Sequence, residues 1–176
     1  MQSSTIIDLG RFSLSYGDGK RLDLPVSIGP VELGGQTYRL TPASTQVRLD
    51  VSRPARGYAF RMRFPIAVEG PCMRCLEEAG VTTEVDAREI DQRDTDDEEL
   101  RSPYVSDGHG AELDLGRWAH DAAVLALPTR ILCRPDCAGL CAVCGESLND
   151  ADPEAHRHQQ GGDPRMAKLR ELKLDE

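Results

Sequence analysis

Four cysteines fall within twelve residues, at Cys133, Cys137, Cys141 and Cys144, and two more form Cys72-Met-Arg-Cys75. Thiols this dense have three physical uses: disulfides, a redox pair or a metal site. The opening residues, MQSSTIIDLGRF, carry no basic leader and no long apolar run, so export is not expected. The expected location is cytoplasmic, where thiols stay reduced, and that sets disulfides aside. A thioredoxin-like pair stands at the head of a helix after a strand, whereas Cys144 is followed by the turn-like Gly145-Glu-Ser. Metal binding is the use that remains.

Four thiolates would close a tetrahedral zinc site and leave no open position, which makes the expected ion structural. Pro135 and Gly139 oppose a continuous helix through the cluster, so a turn-rich loop must fold the thiolates around a point. Cys141-Ala-Val-Cys144-Gly145 has the form of a zinc knuckle. The expected ligands are Cys133, Cys137, Cys141 and Cys144. Two features keep the ligand set open. Cys72 and Cys75 could form a second knuckle, and His156 and His158 could supply imidazoles. The sequence does not choose which four of these eight bind.

The elements that must position these groups differ along the chain. The first 90 residues read as β: TIIDLGRF, RLDLPVSI, TQVRLDVSR, GYAFRMRFPIAVEG and VTTEVDAREID are short alternating runs separated by YGDGK, IGP, LGG and RPARG. In YAFRMRFPI, Tyr58, Phe60, Met62 and Phe64 share one face and Arg61 and Arg63 the other. The stretch QRDTDDEELRSPYVSDGHG is nearly devoid of apolar residues and predicts an open, flexible connection over about 91–111. The period then changes. Leu115, Trp118, Ala119, Ala122 and Leu125 recur at helical spacing, Asp114 is placed to cap, and Pro128 follows the end. A short C-terminal helix is predicted from Asp163 and Pro164 through Met166, Leu169 and Leu172.

Charge is divided as well. The net charge is -9, yet residues 86–115 hold eleven carboxylates and three arginines, leaving only -1 for the rest. Between Gln46 and Cys75 the balance reverses, with Arg48, Arg53, Arg56, Arg61, Arg63 and Arg74 against two carboxylates. Those arginines are the candidates for contact with RNA phosphates or a partner, against the plainer reading of a solvated strand face. Walker, dinucleotide, GxSxG and HExxH patterns are absent, no apolar run is long enough to span a membrane, and no enzyme or small-molecule substrate is expected.

CMRCLE at 72–77, LDLGRWAHDAAVLALP at 113–128, LCRPDCAGLCAVCGESLN at 132–149 and DPRMAKL at 163–169 follow one another in a recognisable order. Over about residues 60 to 172 the chain resembles the YceD family, the large ribosomal RNA subunit accumulation proteins of bacteria and chloroplasts. The resemblance implies a cytoplasmic, non-enzymatic protein that supports synthesis, processing or stability of 23S ribosomal RNA, with large-subunit RNA, a pre-ribosomal particle or a ribosomal protein as partner. Where many members carry Cys-x-Cys before DPR, this chain has His156-Arg-His158. The expected fold is α+β: a mostly antiparallel, barrel-like sheet, one amphipathic helix from about Asp114 to Leu127, a Cys-rich zinc-type loop and the short C-terminal helix. The expected organisation is a β-rich domain with its packing helix over 1–130 and a Cys-rich segment over 131–176. A second reading is an adaptor whose acidic segment binds a ribosomal protein or RNA-processing enzyme without touching RNA.

Overall fold

The computed structural model describes residues 5–92, 97–106, 111–152 and 154–158. In chain order the elements are β1 (Ile6–Asp8), a 3-10 turn (Leu9–Phe12), β2 (Gly19–Ser27), β3 (Val31–Leu33), β4 (Gln36–Leu40), β5 (Ser44–Ser52), β6 (Tyr58–Pro71) and β7 (Glu78–Asp91). A second 3-10 turn (Glu98–Leu100), β8 (Val105–Ser106), β9 (Glu112–Asp114) and α1 (Leu115–Ala126) follow. The predicted helix at 163–172 lies outside the described residues.

β6 is the spine. β7 runs antiparallel along one edge of it from Tyr58↔Asp91 to Pro71↔Glu78. β5 and β4 share the other edge, β5 pairing residues 59–63 and β4 pairing Val68 and Glu69. β2 extends the sheet beyond β5, and β3 extends it beyond β4. β1, β9 and β8 form a separate three-stranded sheet. The architecture is thus mostly antiparallel sheet with one helix, and the main sheet is not closed into a barrel.

The alternation in β6 decides which face is buried. Phe60, Met62, Phe64, Ile66 and Val68 are each at most 3% exposed and meet Val47, Leu49 and Val51 of β5 in the core. Burying side chains of this size stabilises by about 1.5–3 kcal/mol each before entropy is counted. α1 packs chiefly on β7. Its Trp118 meets Phe60 edge-on at 6.3 Å and stacks with Tyr104 at 6.2 Å. Asp114 Oδ1 accepts from Arg117 N at 3.0 Å, the expected cap, and the helix ends at Ala126 ahead of Pro128. Leu125, placed by the same period on the apolar face, is 86% exposed instead.

Three differences from expectation have local causes. TIIDLGRF is strand only to Asp8, whose carboxylate accepts from Gly10 N at 2.9 Å and bends the chain into a 3-10 turn. β3 and β4 flank Gly34-Gly35, where the sequence reading recognised only the turn. The acidic connection carries order in its described part. Asp97 caps the 3-10 turn at 98–100, Gln92 N donates to Leu100 O at 2.7 Å, and Val105 pairs with Leu113.

Candidate metal centres

Cys72-Met-Arg-Cys75 is the tip of the β6–β7 hairpin. Cys72 N donates to Glu77 O at 2.6 Å, Leu76 N donates to Cys72 O at 3.0 Å, and Leu76 takes φ +63°. Cys141-Ala-Val-Cys144 repeats this turn far along the chain. Cys141 N donates to Glu146 O at 2.8 Å, Gly145 N donates to Cys141 O at 2.9 Å, and Gly145 takes φ +76°. One structural unit is therefore built twice: Cys-x-x-Cys, a left-handed residue, then Glu. The turn aims backbone amides at the first sulfur, and Arg74 N lies 3.4 Å from Cys72 Sγ.

Eight donors sort into two groups of four. Cys72, Cys75, Cys133 and Cys137 form one, and Cys141, Cys144, His156 and His158 the other; within each, the donor atoms lie within 4.8 Å of one another. The four consecutive cysteines expected to share one ion thus divide, two to each group. Gly139 marks the division. Its φ of +83° turns the chain between Cys137 and Cys141, and it sits so close to Arg74 that a Cβ would lie 3.3 Å from the Arg74 carbonyl oxygen.

The first group fastens the loop to the hairpin. Met73 N donates to Ile131 O at 2.9 Å, and Arg74 Nη1 donates to Cys137 O at 2.6 Å. Cys72 and Cys137 are wholly buried, Cys75 nearly so, and Cys133 partly. The sulfurs of Cys72 and Cys137 are 3.7 Å apart, and those of Cys75 and Cys133 3.5 Å. A disulfide needs about 2.05 Å. A tetrahedron with metal–sulfur bonds of about 2.3 Å has edges of about 3.8 Å, so the spacing fits an ion rather than a bond.

Electrostatics within this group are lopsided. Burial pushes the Cys72 thiol up, but backbone amides of Cys75, Arg74 and Cys133 donate to it and outweigh burial, leaving a pKa of about 6. Cys133 is pushed up to about 12 by burial and then by the other three sulfurs. Without a cation the Cys72 thiolate forms readily and opposes ionisation of Cys75 and Cys133; a divalent ion would invert that balance.

The second group is local and more open. A bridge between Leu140 and Ser147, Leu148 N donating to Gly139 O at 2.8 Å, and Ala138 N donating to Asn149 Oδ1 at 2.9 Å hold its knuckle. His156 Nδ1 is 3.5 Å from Cys144 Sγ, and its Nε2 is 3.8 Å from Glu146 Oε2. Backbone amides of Cys144 and Val143 bring the Cys141 thiol down to about 6.

These features have relatives. A family model described as "Large ribosomal RNA subunit accumulation protein YceD" matches residues 60–173. The chain belongs to the YceD family. The span matched by the YceD model takes in the hairpin from Phe60 onward, α1 and every donor of both groups. Among curated proteins, an uncharacterized protein of Mycobacterium bovis and uncharacterized proteins of two Mycobacterium tuberculosis strains are 38% identical over 105 residues, 58% of this chain and 49% of each relative. The chain therefore spans about half the length of the curated relatives it matches. No solved structure matches.

The six arginines singled out in this YceD-family chain are scattered. Arg48 pairs with Asp23 (3.1 Å), Arg61 grips both carboxylate oxygens of Asp86, and Arg63 reaches Asp50 (2.8 Å), which Arg21 also holds. Cross-strand register sets Arg48 opposite Asp23 and Arg21 opposite Asp50, whereas Arg61–Asp86 and Arg63–Asp50 are diagonal pairs two residues out of register. Arg53 lies 4.3 Å over the Tyr58 ring, Arg56 occupies an exposed turn, and Arg74 is committed to Cys137 O. Arg74 and Glu146 were not recognised in the sequence as supports of the donor groups. The signal available was the repeated pattern of Cys-x-x-Cys followed two residues later by Glu. No helix among the described residues is long and apolar enough to cross a membrane.

Proposed function

We propose that the protein supports accumulation of 23S ribosomal RNA in the cytoplasm as a non-enzymatic factor, acting on the RNA or on an early large-subunit precursor particle. The family match carries this reading, because it covers the hairpin, the helix and both donor groups as one block. We read Cys72, Cys75, Cys133 and Cys137 as a structural zinc site. Four soft donors at tetrahedral spacing suit zinc and leave no position for a substrate. Its work is to fix residues 131–137 on the hairpin tip, so that the loop is presented rigidly. The experiment is sedimentation of the protein in a sucrose gradient of its own cell's lysate, at low and moderate salt. Migration with free large subunits or lighter precursors is expected. Protein remaining at the top at both salts overturns the assembly reading.

One observation favours a second reading, in which the protein contacts a basic ribosomal protein or processing enzyme rather than RNA. Arg48, Arg61 and Arg63 already face carboxylates, so their face offers phosphates little free positive charge, whereas residues 86–115 carry -8. Glu98→Ser with Glu99→Ser weakens a protein partner and leaves RNA binding unchanged or stronger. Arg48→Ala with Arg61→Ala instead flattens a steep salt dependence if phosphates are the contact.

A further inference from the structure

We propose that Cys141 Sγ, Cys144 Sγ, His156 Nδ1 and His158 Nε2 hold a second zinc-class ion, separate from the four-thiolate site and released before it. The ribosomal reading is not required for this, but the order of release rests on an ion in the four-thiolate site. The two groups share no donor.

Four observations meet here. The knuckle at Cys141 reproduces the backbone hydrogen bonds of the knuckle at Cys72, so whatever geometry suits an ion at one suits it at the other. His156 has its Nε2 beside the Glu146 carboxylate, the outer partner that orients a ligating imidazole and leaves Nδ1 free for the ion. His158 Nε2 is buried with no hydrogen-bond partner, and buried polar atoms in folded proteins are rarely left so. The two rings stand edge-on, 5.9 Å apart at 72°, which brings nitrogens together without stacking. Two thiolates and two neutral imidazoles balance a divalent charge, so the occupied site needs no counter-ion.

Position sets the order of release. The first site is assembled from residues 58 and 65 positions apart and is largely buried, so its ion is enclosed by packed structure. The second draws all its donors from residues 141–158, and Cys144 is exposed. A chelator reaches Cys144 directly. Removing the second ion loosens this short segment and leaves the sheet, α1 and the first knuckle in place.

The test is metal content of the purified full chain, followed by zinc release to a coloured chelator and by cobalt(II) reloading. Two equivalents per chain are expected, leaving in a fast and a slow phase. His156→Ala with His158→Ala should hold one equivalent and lose the fast phase, with the fluorescence of buried Trp118 unchanged. Glu146→Gln should keep both sites but weaken the second by about tenfold or more. The cobalt spectrum should be the sum of an all-sulfur and a mixed sulfur–nitrogen component, and the histidine variant should retain only the first. One equivalent in the wild-type chain, or two in the histidine variant, overturns the proposal. A single ion lost from Cys72→Ser but kept in the histidine variant locates it in the four-thiolate group, a result that leaves the ribosomal reading standing.

Discussion

Leu76 and Gly145 occupy the same left-handed position of the same turn, and only one of them is suited to it. A non-glycine residue there is strained by roughly 1–2 kcal/mol. Leu76 is 56% exposed and has little burial to set against that strain. Leu76→Gly should therefore leave stability within about 1 kcal/mol of wild type, relief of strain opposing the greater freedom of glycine in the unfolded chain. Gly145→Ala has nothing within 4 Å to contact and should lose about 1 kcal/mol. Urea denaturation of the two variants checks both values. The asymmetry also explains what was legible. Cys141 to Gly145 was recognised as a knuckle by its glycine, whereas Cys75 is followed by Leu76 and its knuckle stayed one alternative among several. A charge prediction belongs at this scale too. The Arg21 guanidinium holds the Asp50 carboxyl below its ordinary value, opposed by burial and helped by Arg63. A depressed folded pKa stabilises fully above the unfolded value, near 3.9, and that contribution is lost as pH falls through the lower folded value. Asp50→Asn should be less stable at pH 7 and flatter in its pH dependence below about 4, as read from denaturation midpoints.

Among the elements, the β6–β7 hairpin does most of the positioning. Tyr38 of β4 is fully buried and its hydroxyl donates to Pro71 O at 2.8 Å, next to Cys72. Tyr38→Phe should cost about 1 kcal/mol by urea denaturation and loosen the entry to Cys72. Legibility at this scale followed element length. β6, β7 and α1 were readable because several repeats of a two- or 3.6-residue period accumulate within each. β3 has only three residues, too few for a period, and its partnership with β4 rests on a Gly-Gly turn and on burial of Tyr38 that only the folded neighbours create. The order within the acidic stretch was hidden for a related reason. Val105 and Leu113 are isolated apolar residues that become a pair only when β8 meets β9.

At the scale of the whole molecule, the grouping of the eight donors was beyond local reading because it joins segments about 60 residues apart. Spacing along the chain puts Cys137 nearer to Cys141 than to Cys72, and packing reverses that. Chelation of the four-thiolate site should free the segment from 131 onward while Trp118 stays buried between α1 and the sheet. Trypsin should then cut at exposed Arg130 much faster than in untreated protein, with little change in Trp118 emission.

The hairpin clasp has a topological consequence. With an ion on Cys75 and Cys133 the 58-residue separation between them becomes a closed ring that includes β7, the acidic stretch, β8, β9 and α1. Cross-linking a loop of that length restricts the unfolded chain by on the order of 4 kcal/mol in the loop-entropy account. A single cut inside the ring would not part the molecule. Both halves would stay joined through the ion, and the acidic stretch could be severed by a protease while the two pieces still travel as one particle.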